Sequence, residues 1–308
     1  MKHTEKDNFP GGVLAVRKDA GMTSHDVVNK IRRLYNTKRV GHAGTLDPLA
    51  TGVLVVLVGR AAKACEYISS DIKRYAATLR LGVTSDTEDI TGEILSRSDN
   101  LPSSDEVALV CQEFVGKIRQ TPPMYSALKV GGQKLYELAR QGLVVKREAR
   151  EIEIHSLECE QIEGSLTDYR LTVCCSGGTY IRTLCADIGE RLSCGGVMAT
   201  LERQEACGIS LDECHTLEEL EDMSESEREL MLLPTERLFE NLPKVCLPQF
   251  FEKLFRSGCK IFQNKIKTGY PAFTRVRVCR ENGEFFALGE VVETDSSSAI
   301  KSIKIFEL

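Results

Sequence analysis

Gly41-His42-Ala43-Gly44-Thr45-Leu46-Asp47-Pro48-Leu49-Ala50-Thr51-Gly52 runs directly into the apolar segment Val53-Leu54-Val55-Val56-Leu57-Val58. Pro48 disfavours the helical region for Asp47, so the carboxylate rides on backbone that is extended or turning. The glycines permit backbone angles and close approaches that other residues resist. The aliphatic run reads as a buried strand that anchors the loop. A carboxylate on a stiffened loop at the end of a core strand is a place for a reacting group. A tight structural turn has the same composition, and only the remaining sequence separates the two.

The chain has 308 residues, 42% of them hydrophobic and 28% charged, which suits one large domain or a large one with a small one. The longest aliphatic run is far too short to cross a bilayer. The N-terminus, Met1 to Pro10, is polar and lacks the apolar core of a signal peptide, so a cytoplasmic location is expected. None of the twelve cysteines forms a pair spaced by two residues, and the histidines at 3, 25, 42, 155 and 215 are not paired. The expectation is therefore no metal, with the thiols acting as small hydrophobes.

A net charge of −5 carries no global signature of nucleic-acid binding. Its distribution is more informative. Residues 27–40 hold Lys30, Arg32, Arg33, Lys38 and Arg39 with no carboxylate, and residues 129–150 hold Lys129, Lys134, Arg140, Lys146, Arg147 and Arg150 against Glu137 and Glu148. Acidity is concentrated in residues 218–227. Local basic surfaces on an acidic protein can track phosphates, although a charge cluster is more often just a solvated face.

Periodicity predicts a strand at 13–17 and a helix with Val27, Val28, Ile31 and Leu34 on one face. Thr23-Ser24-His25-Asp26 resembles a capping box at its start. Further helices are predicted at 61–68, 105–115, 133–141, 180–189 and 217–233, and strands at 71–82, 151–160 (with a slip in register), 169–175 and 197–205. Residues 86–92 read as a polar hairpin turn, and 123–150 as a basic excursion from the core. Pro234, Pro243 and Pro248 mark a boundary. Beyond it, short strands at 274–280, 284–288 and 289–292, with turns at Asn282-Gly283 and Ser296-Ser297-Ser298, suggest a small β-rich module.

Taken together, the Gly41 loop, Lys73-Arg74-Tyr75, Pro123-Met124-Tyr125-Ser126-Ala127-Leu128-Lys129 with Leu135-Tyr136 and Ala139-Arg140, and Gly178-Thr179-Tyr180-Ile181-Arg182-Thr183 resemble the TruB family of tRNA pseudouridine synthases. The similarity covers about residues 12–242, and the tail fits the family's PUA-like RNA-binding domain in size and strand content. The resemblance implies an α+β fold with a mixed, largely antiparallel central sheet flanked by helices, a catalytic domain over 1–242 that includes the RNA-gripping excursion 123–150, and a PUA-like domain over 243–308. It implies a cofactor-free, metal-free isomerase, monomeric, whose partner is the T-arm of tRNA.

In that reading Asp47 is the nucleophile, acting either at C1′ of the ribose or on the pyrimidine ring. A carboxylate suits both routes because it is anionic at neutral pH and can form and release an ester or add to an electrophilic ring. Arg182 pairs with it and fixes its direction. Tyr75 lies against the target base, Tyr180 and Leu201 line the uracil pocket, and His42 meets the nucleotide flipped out of the stacked loop. Lys129, Lys134, Arg140, Lys146 and Arg147 would contact RNA. Asp19, Gly177 and Glu202 depart from the family pattern, where Pro, Lys and Arg are usual. The alternatives are a tRNA-folding chaperone without essential chemistry and a relative acting on guide-selected or ribosomal uridines.

Overall fold

The computed structural model describes residues 11–68, 72–126, 128–294 and 297–306. The polar N-terminus, the first residue of the predicted strand at Asp71, Ala127 of the excursion and Ser296 of the predicted turn lie outside them.

The first half of the chain builds one edge of a large sheet and its cover. Strand β1 (Gly11–Lys18) leads to helix α1 (Ser24–Leu34), then β2 (Val40–Ala43) and β3 (Thr51–Gly59). The capping box is present: the Asp26 amide donates to the Thr23 hydroxyl, and the Thr23 amide to the Asp26 carboxylate. After a 3-10 helix over Arg60–Tyr67 come β4 (Lys73–Leu81), β5 (Val83–Ser85), β6 (Ile94–Arg97), α2 (Ser104–Glu113) and β7 (Gly116–Gln120). The excursion contains a hairpin of β8 (Lys129–Val130) and β9 (Gln133–Lys134), followed by the short helix α3 (Leu135–Ala139). Then follow β10 (Arg150–Gln161), β11 (Asp168–Cys175), α4 (Ile181–Arg191), β12 (Gly196–Ala206), β13 (Ile209–Ser210), α5 (Leu217–Asp222) and α6 (Glu225–Leu230).

The strands form a nine-stranded sheet in the order β1-β3-β12-β4-β11-β10-β7, with β2 paired to β3 and β13 to β12. Every pairing is antiparallel except β12 with β3, so the fold is α+β with a mixed, largely antiparallel central sheet. Strand β3 explains its own unbroken apolar run. Leu54, Val56 and Val58 face one core with α1 and α4, while Val53, Val55 and Leu57 face a second core on the other side. A strand buried on both faces has no polar positions to alternate. The predicted slip in β10 is a bulge between Ile154 and Ser156.

Beyond Pro243, β14 (Lys244–Leu247), α7 (Gln249–Arg256), β15 (Ile261–Phe262), β16 (Arg275–Arg280), β17 (Phe285–Thr294) and β18 (Ser297–Ile305) make a five-stranded sheet in the order β14-β16-β17-β18-β15. One side packs under α7 around Phe255 and Phe286. The other closes the second core: the Phe239, Phe285 and Phe306 rings lie 5.5–6.0 Å apart by centroid, against Val53, Val55 and Leu57.

Several sequence expectations need correction. Residues 61–68 form a 3-10 rather than an α-helix. The helix predicted over 133–141 begins only at Leu135, because Gly131 and Gly132 both take positive φ and turn a hairpin through Gln133–Lys134. The acidic helices expected over 217–233 are present as two short ones, each with its own capping box at Thr216 and Ser224. The two predicted strands meeting at Gly289 are one strand, β17. Gly289 does not end it. A Cβ there would stand 2.6 Å from Ile300, so glycine is required by packing.

Candidate active site

The Gly41 loop leaves β2, turns through Asp47 and enters β3. Four side chains and one backbone amide hold it. The Ser24 hydroxyl, on the first residue of α1, accepts from the Leu46 amide (2.8 Å) and lies 3.0 Å from the Leu46 carbonyl. The Gly21 amide donates to the Pro48 carbonyl, and so does the buried Lys18 ammonium, at 3.4 Å. Arg203 of β12, 1% exposed, donates to three carbonyls of the loop and its strand: Gly44 (3.0 Å), Thr45 (3.4 Å) and Val53 (2.7 Å). Gly52 lies directly against the Arg203 backbone, at positive φ, where a Cβ would meet the Arg203 carbonyl oxygen at 2.2 Å.

Arg182 is presented by the first turn of α4 and reaches the same loop from the side. Its Nε donates to Asp47 Oδ2 at 2.9 Å. The guanidinium is 5% exposed; the Asp47 carboxylate is 37% exposed, so it is gripped from behind and open in front. Both of its other nitrogens are engaged as well. Nη1 bonds the Thr87 carbonyl at 3.0 Å and lies 3.7 Å from Asp89 Oδ2, and Nη2 bonds the Tyr125 carbonyl at 2.8 Å. Asp89 is itself fixed by the hydroxyls of Thr87 and Thr91 and by the Thr91 amide. Next to it Glu88, in the left-handed region at φ +63°, accepts from the Thr183 hydroxyl. The predicted hairpin turn at 86–92 thus also clamps the start of α4.

Tyr75 (6% exposed) and Leu201 (8%) sit on adjacent strands of the sheet, in one apolar cluster with Leu46 and Ile181. Tyr180 caps α4, with its amide and carbonyl both bonded to the side chain of Gln120; burial pushes its phenol up from the usual range. His42 lies on β2 opposite Val56. Burial and then the Arg203 charge hold its imidazole below its ordinary value, so the ring is neutral at pH 7. Of the excursion residues, Lys129, Arg140 and Lys146 are exposed. Lys134 and Arg140 both stand over the Tyr136 ring, at 5.4 and 5.5 Å. Arg147 is half-buried and donates to the Pro122 carbonyl, bracing the excursion. Among the described residues no group of three or more His, Cys, Asp or Glu is placed to hold a metal ion.

Arg203, Lys18, Ser24, Asp89 and Gln120 were not singled out by sequence. The signal for Arg203 was alternation: it lies two residues beyond Leu201, on the same inward face. Glu202, between them, faces outward and pairs with Arg17. Removing the Arg203 guanidinium strands three carbonyls, so Arg203→Met is expected to cost about 3 kcal/mol of stability, read from the denaturant midpoint. An unchanged midpoint would mean that the loop is held without it.

Lys18 supplies a pH signature. Burial lowers its pKa from 10.5 to about 8, against the raising effect of the Asp19 and Asp47 carboxylates. Between pH 8 and 10.5 the unfolded chain binds more protons at this position than the folded one, so stability rises with pH in that window. Wild type should gain up to about 3 kcal/mol over Lys18→Met between those limits. Parallel stability curves for the two proteins would contradict this.

A family model described as the TruB family pseudouridylate synthase N-terminal domain matches residues 32–181, and one described as the tRNA pseudouridylate synthase B C-terminal domain matches 182–240. The chain is 43% identical over 281 residues to a Clostridium perfringens protein named tRNA pseudouridine synthase B, covering 91% of this chain and 94% of that one. A protein of the same name from Alkaliphilus oremlandii is 42% identical over 301 residues, with coverage of 96% and 98%. The fold is similar to a chain in a solved Cbf5-Nop10-Gar1 complex, with a TM-score of 0.75 and 27% identity, covering 96% of this chain and 84% of that one.

Proposed function

Since the chain belongs to the TruB family of pseudouridylate synthases, we propose that it isomerises the T-loop uridine of tRNA to pseudouridine, as a monomer in the cytoplasm and without a cofactor. The observation that carries the reading is the 2.9 Å pair between the open Asp47 carboxylate and the buried Arg182. The 39–46% identical relatives named tRNA pseudouridine synthase B favour tRNA over the substrate RNA of an H/ACA RNP, a more distant structural relative at 25% identity.

The target uridine leaves its stack at a cost of roughly a few kcal/mol and enters between Tyr75, Tyr180 and Leu201, with the neutral His42 ring facing the nucleotide. Asp47 attacks either C1′ or the pyrimidine ring. In both routes the C1′–N1 bond breaks, uracil turns and the C1′–C5 bond forms; the bond from Asp47 to C1′ or to the ring breaks to regenerate the carboxylate, and the proton on C5 is lost while N1 gains one. Arg182 holds the carboxylate in line throughout, and Tyr75 is placed beside the base to assist removal of the C5 proton.

We read residues 1–242 as the catalytic domain and 243–308 as a PUA-like RNA-binding domain, with Lys129, Lys134, Arg140 and Lys146 on the phosphates of the T-arm. The direct test is tritium release. The purified chain with a T-arm transcript made from 5-tritiated uridine should release label stoichiometric with one uridine per RNA. No release, with RNA bound, would overturn the reading.

A further inference from the structure

Ser126, at the root of the basic excursion, is 5% exposed, and its hydroxyl is buried without a hydrogen-bond partner among the described residues. An unpaired buried hydroxyl destabilises a fold, and native chains keep few of them. A residue needed there only to fill space would be an alanine. The backbone around the hydroxyl is firmly held. The Ser126 carbonyl accepts from the Tyr136 amide at 3.1 Å, and the Tyr125 carbonyl accepts from Arg182 Nη2 at 2.8 Å. Pro122 and Pro123, both buried, stiffen the approach from β7.

The same root is joined to the start of α4 at a second point. Gln120, the last residue of β7 and 2% exposed, accepts from the Tyr180 amide at 2.8 Å and donates to the Tyr180 carbonyl at 3.0 Å. Residue 120 is thus tied to 180, and 125 to 182, which brings Ser126 against Tyr180. Burial raises the Tyr180 phenol, and the Ser126 hydroxyl lies near enough to oppose that rise; Arg150, Arg182 and Asp47 act on the same phenol. The tip of the ring therefore reaches both Ser126 and the Asp47–Arg182 pair. With its backbone pinned by Gln120, Tyr180 keeps only its side-chain torsions free. What fixes the tilt of its ring is whatever holds the phenol.

We propose that Ser126 is a positioning residue for the isomerisation, whose hydroxyl accepts from the Tyr180 phenol when the target uridine enters and so fixes the tilt of that ring against the base. It touches no reacting atom and acts only through Tyr180. Uracil has to turn inside the pocket between breaking one bond to C1′ and forming the other, and a ring held at a set tilt keeps the base in line while it does so. The resting fold bears an unpaired hydroxyl, and alignment is gained only in the complex. Because Ser126 stands at the root of the excursion, one joint sets both the grip on the RNA and the wall of the base pocket. The proposal rests on the synthase reading above, and its test separates the two.

The test uses the full chain and T-arm RNA made with 5-tritiated uridine. Ser126→Ala should lower kcat about tenfold, the worth of one neutral hydrogen bond, with KM nearly unchanged. Tyr180→Phe keeps the ring, loses only the phenol oxygen and should show the same loss. The double variant should lose no more than either single one. Removing the unpaired hydroxyl should leave the denaturant midpoint of Ser126→Ala unchanged or higher. An unchanged kcat, a loss carried by KM, additive losses in the double variant or a lowered midpoint would each overturn the proposal. A readout independent of turnover is the fluorine-19 spectrum of the chain with Tyr180 replaced by 3-fluorotyrosine. T-arm RNA should shift that resonance, and Ser126→Ala should remove most of the shift. Equal shifts with and without the serine, or none in either, would overturn the proposal. A wild type that releases no tritium would sink the synthase reading, with the fluorine shift still deciding the role of Ser126.

Discussion

Asp47→Asn abolishes pseudouridine formation while leaving the RNA complex intact. The substitution is isosteric, and the amide oxygen can still accept the 2.9 Å bond from Arg182 Nε. The loop remains clamped by Ser24, Gly21 and Arg203, none of which touches the carboxylate. Only the nucleophile is lost. Turnover should fall by at least about 10⁴-fold, with T-arm affinity within a few-fold and the denaturant midpoint nearly unmoved. Single-turnover product analysis at saturating RNA checks this. A chaperone that needs no chemistry would keep its tRNA-folding activity in this variant and form no product in wild type either.

Arg182 carries the second large effect, and it acts on both chemistry and fold. One guanidinium joins the Asp47 loop, the turn at Thr87 and Asp89, and the excursion at Tyr125. Arg182→Met strips the buried Asp89 carboxylate of its charge partner and is expected to destabilise the chain by about 3–5 kcal/mol. Arg182→Lys separates the two roles. It keeps a charge for Asp89 but cannot span four sites from a single ammonium, so kcat should fall about a hundredfold or more. Stability should fall less than in the Met variant. Wild-type turnover in Arg182→Lys would show that the direction of the Asp47 carboxylate does not depend on the fork.

What could be read before the structure was what each residue does within its own few neighbours. Thr23 with Asp26 announces a helix start, and Val53 to Val58 announces a doubly buried strand, because those signals are local. The meaning of Arg203 is not local. An arginine beside Glu202 in a strand reads as solvated until Gly52 is known to run against its backbone. Asp89 likewise looks like one carboxylate in a polar turn until α4 brings Arg182 across to it. Gly289 was misjudged for the converse reason. It stands where the strand expected at 284–288 meets the one expected at 289–292, yet it interrupts nothing: its role is to admit Ile300 and Val278 from neighbouring strands. Helix α7 escaped notice because Pro248 was read only as a boundary, whereas it stands immediately before the first turn, where proline is favoured.

The same distinction applies to the basic surfaces. The excursion at 129–150 was visible as charge, but Arg147 turns inward to the Pro122 carbonyl. The cations of 253–280 are divided among α7, the connections after it and β16, where the alternating Val276 and Val278 draw attention to the core instead.

The central claim is that Asp47, held by Arg182, isomerises one uridine in the T-loop of tRNA. The most direct measurement is nucleotide-resolution mapping of pseudouridine in a full-length unmodified tRNA transcript after incubation with wild type and with Asp47→Asn, side by side. The account predicts near-complete conversion of a single T-loop uridine by wild type and none by the variant. Conversion by Asp47→Asn, or a wild-type product confined to another arm of the tRNA, would contradict it.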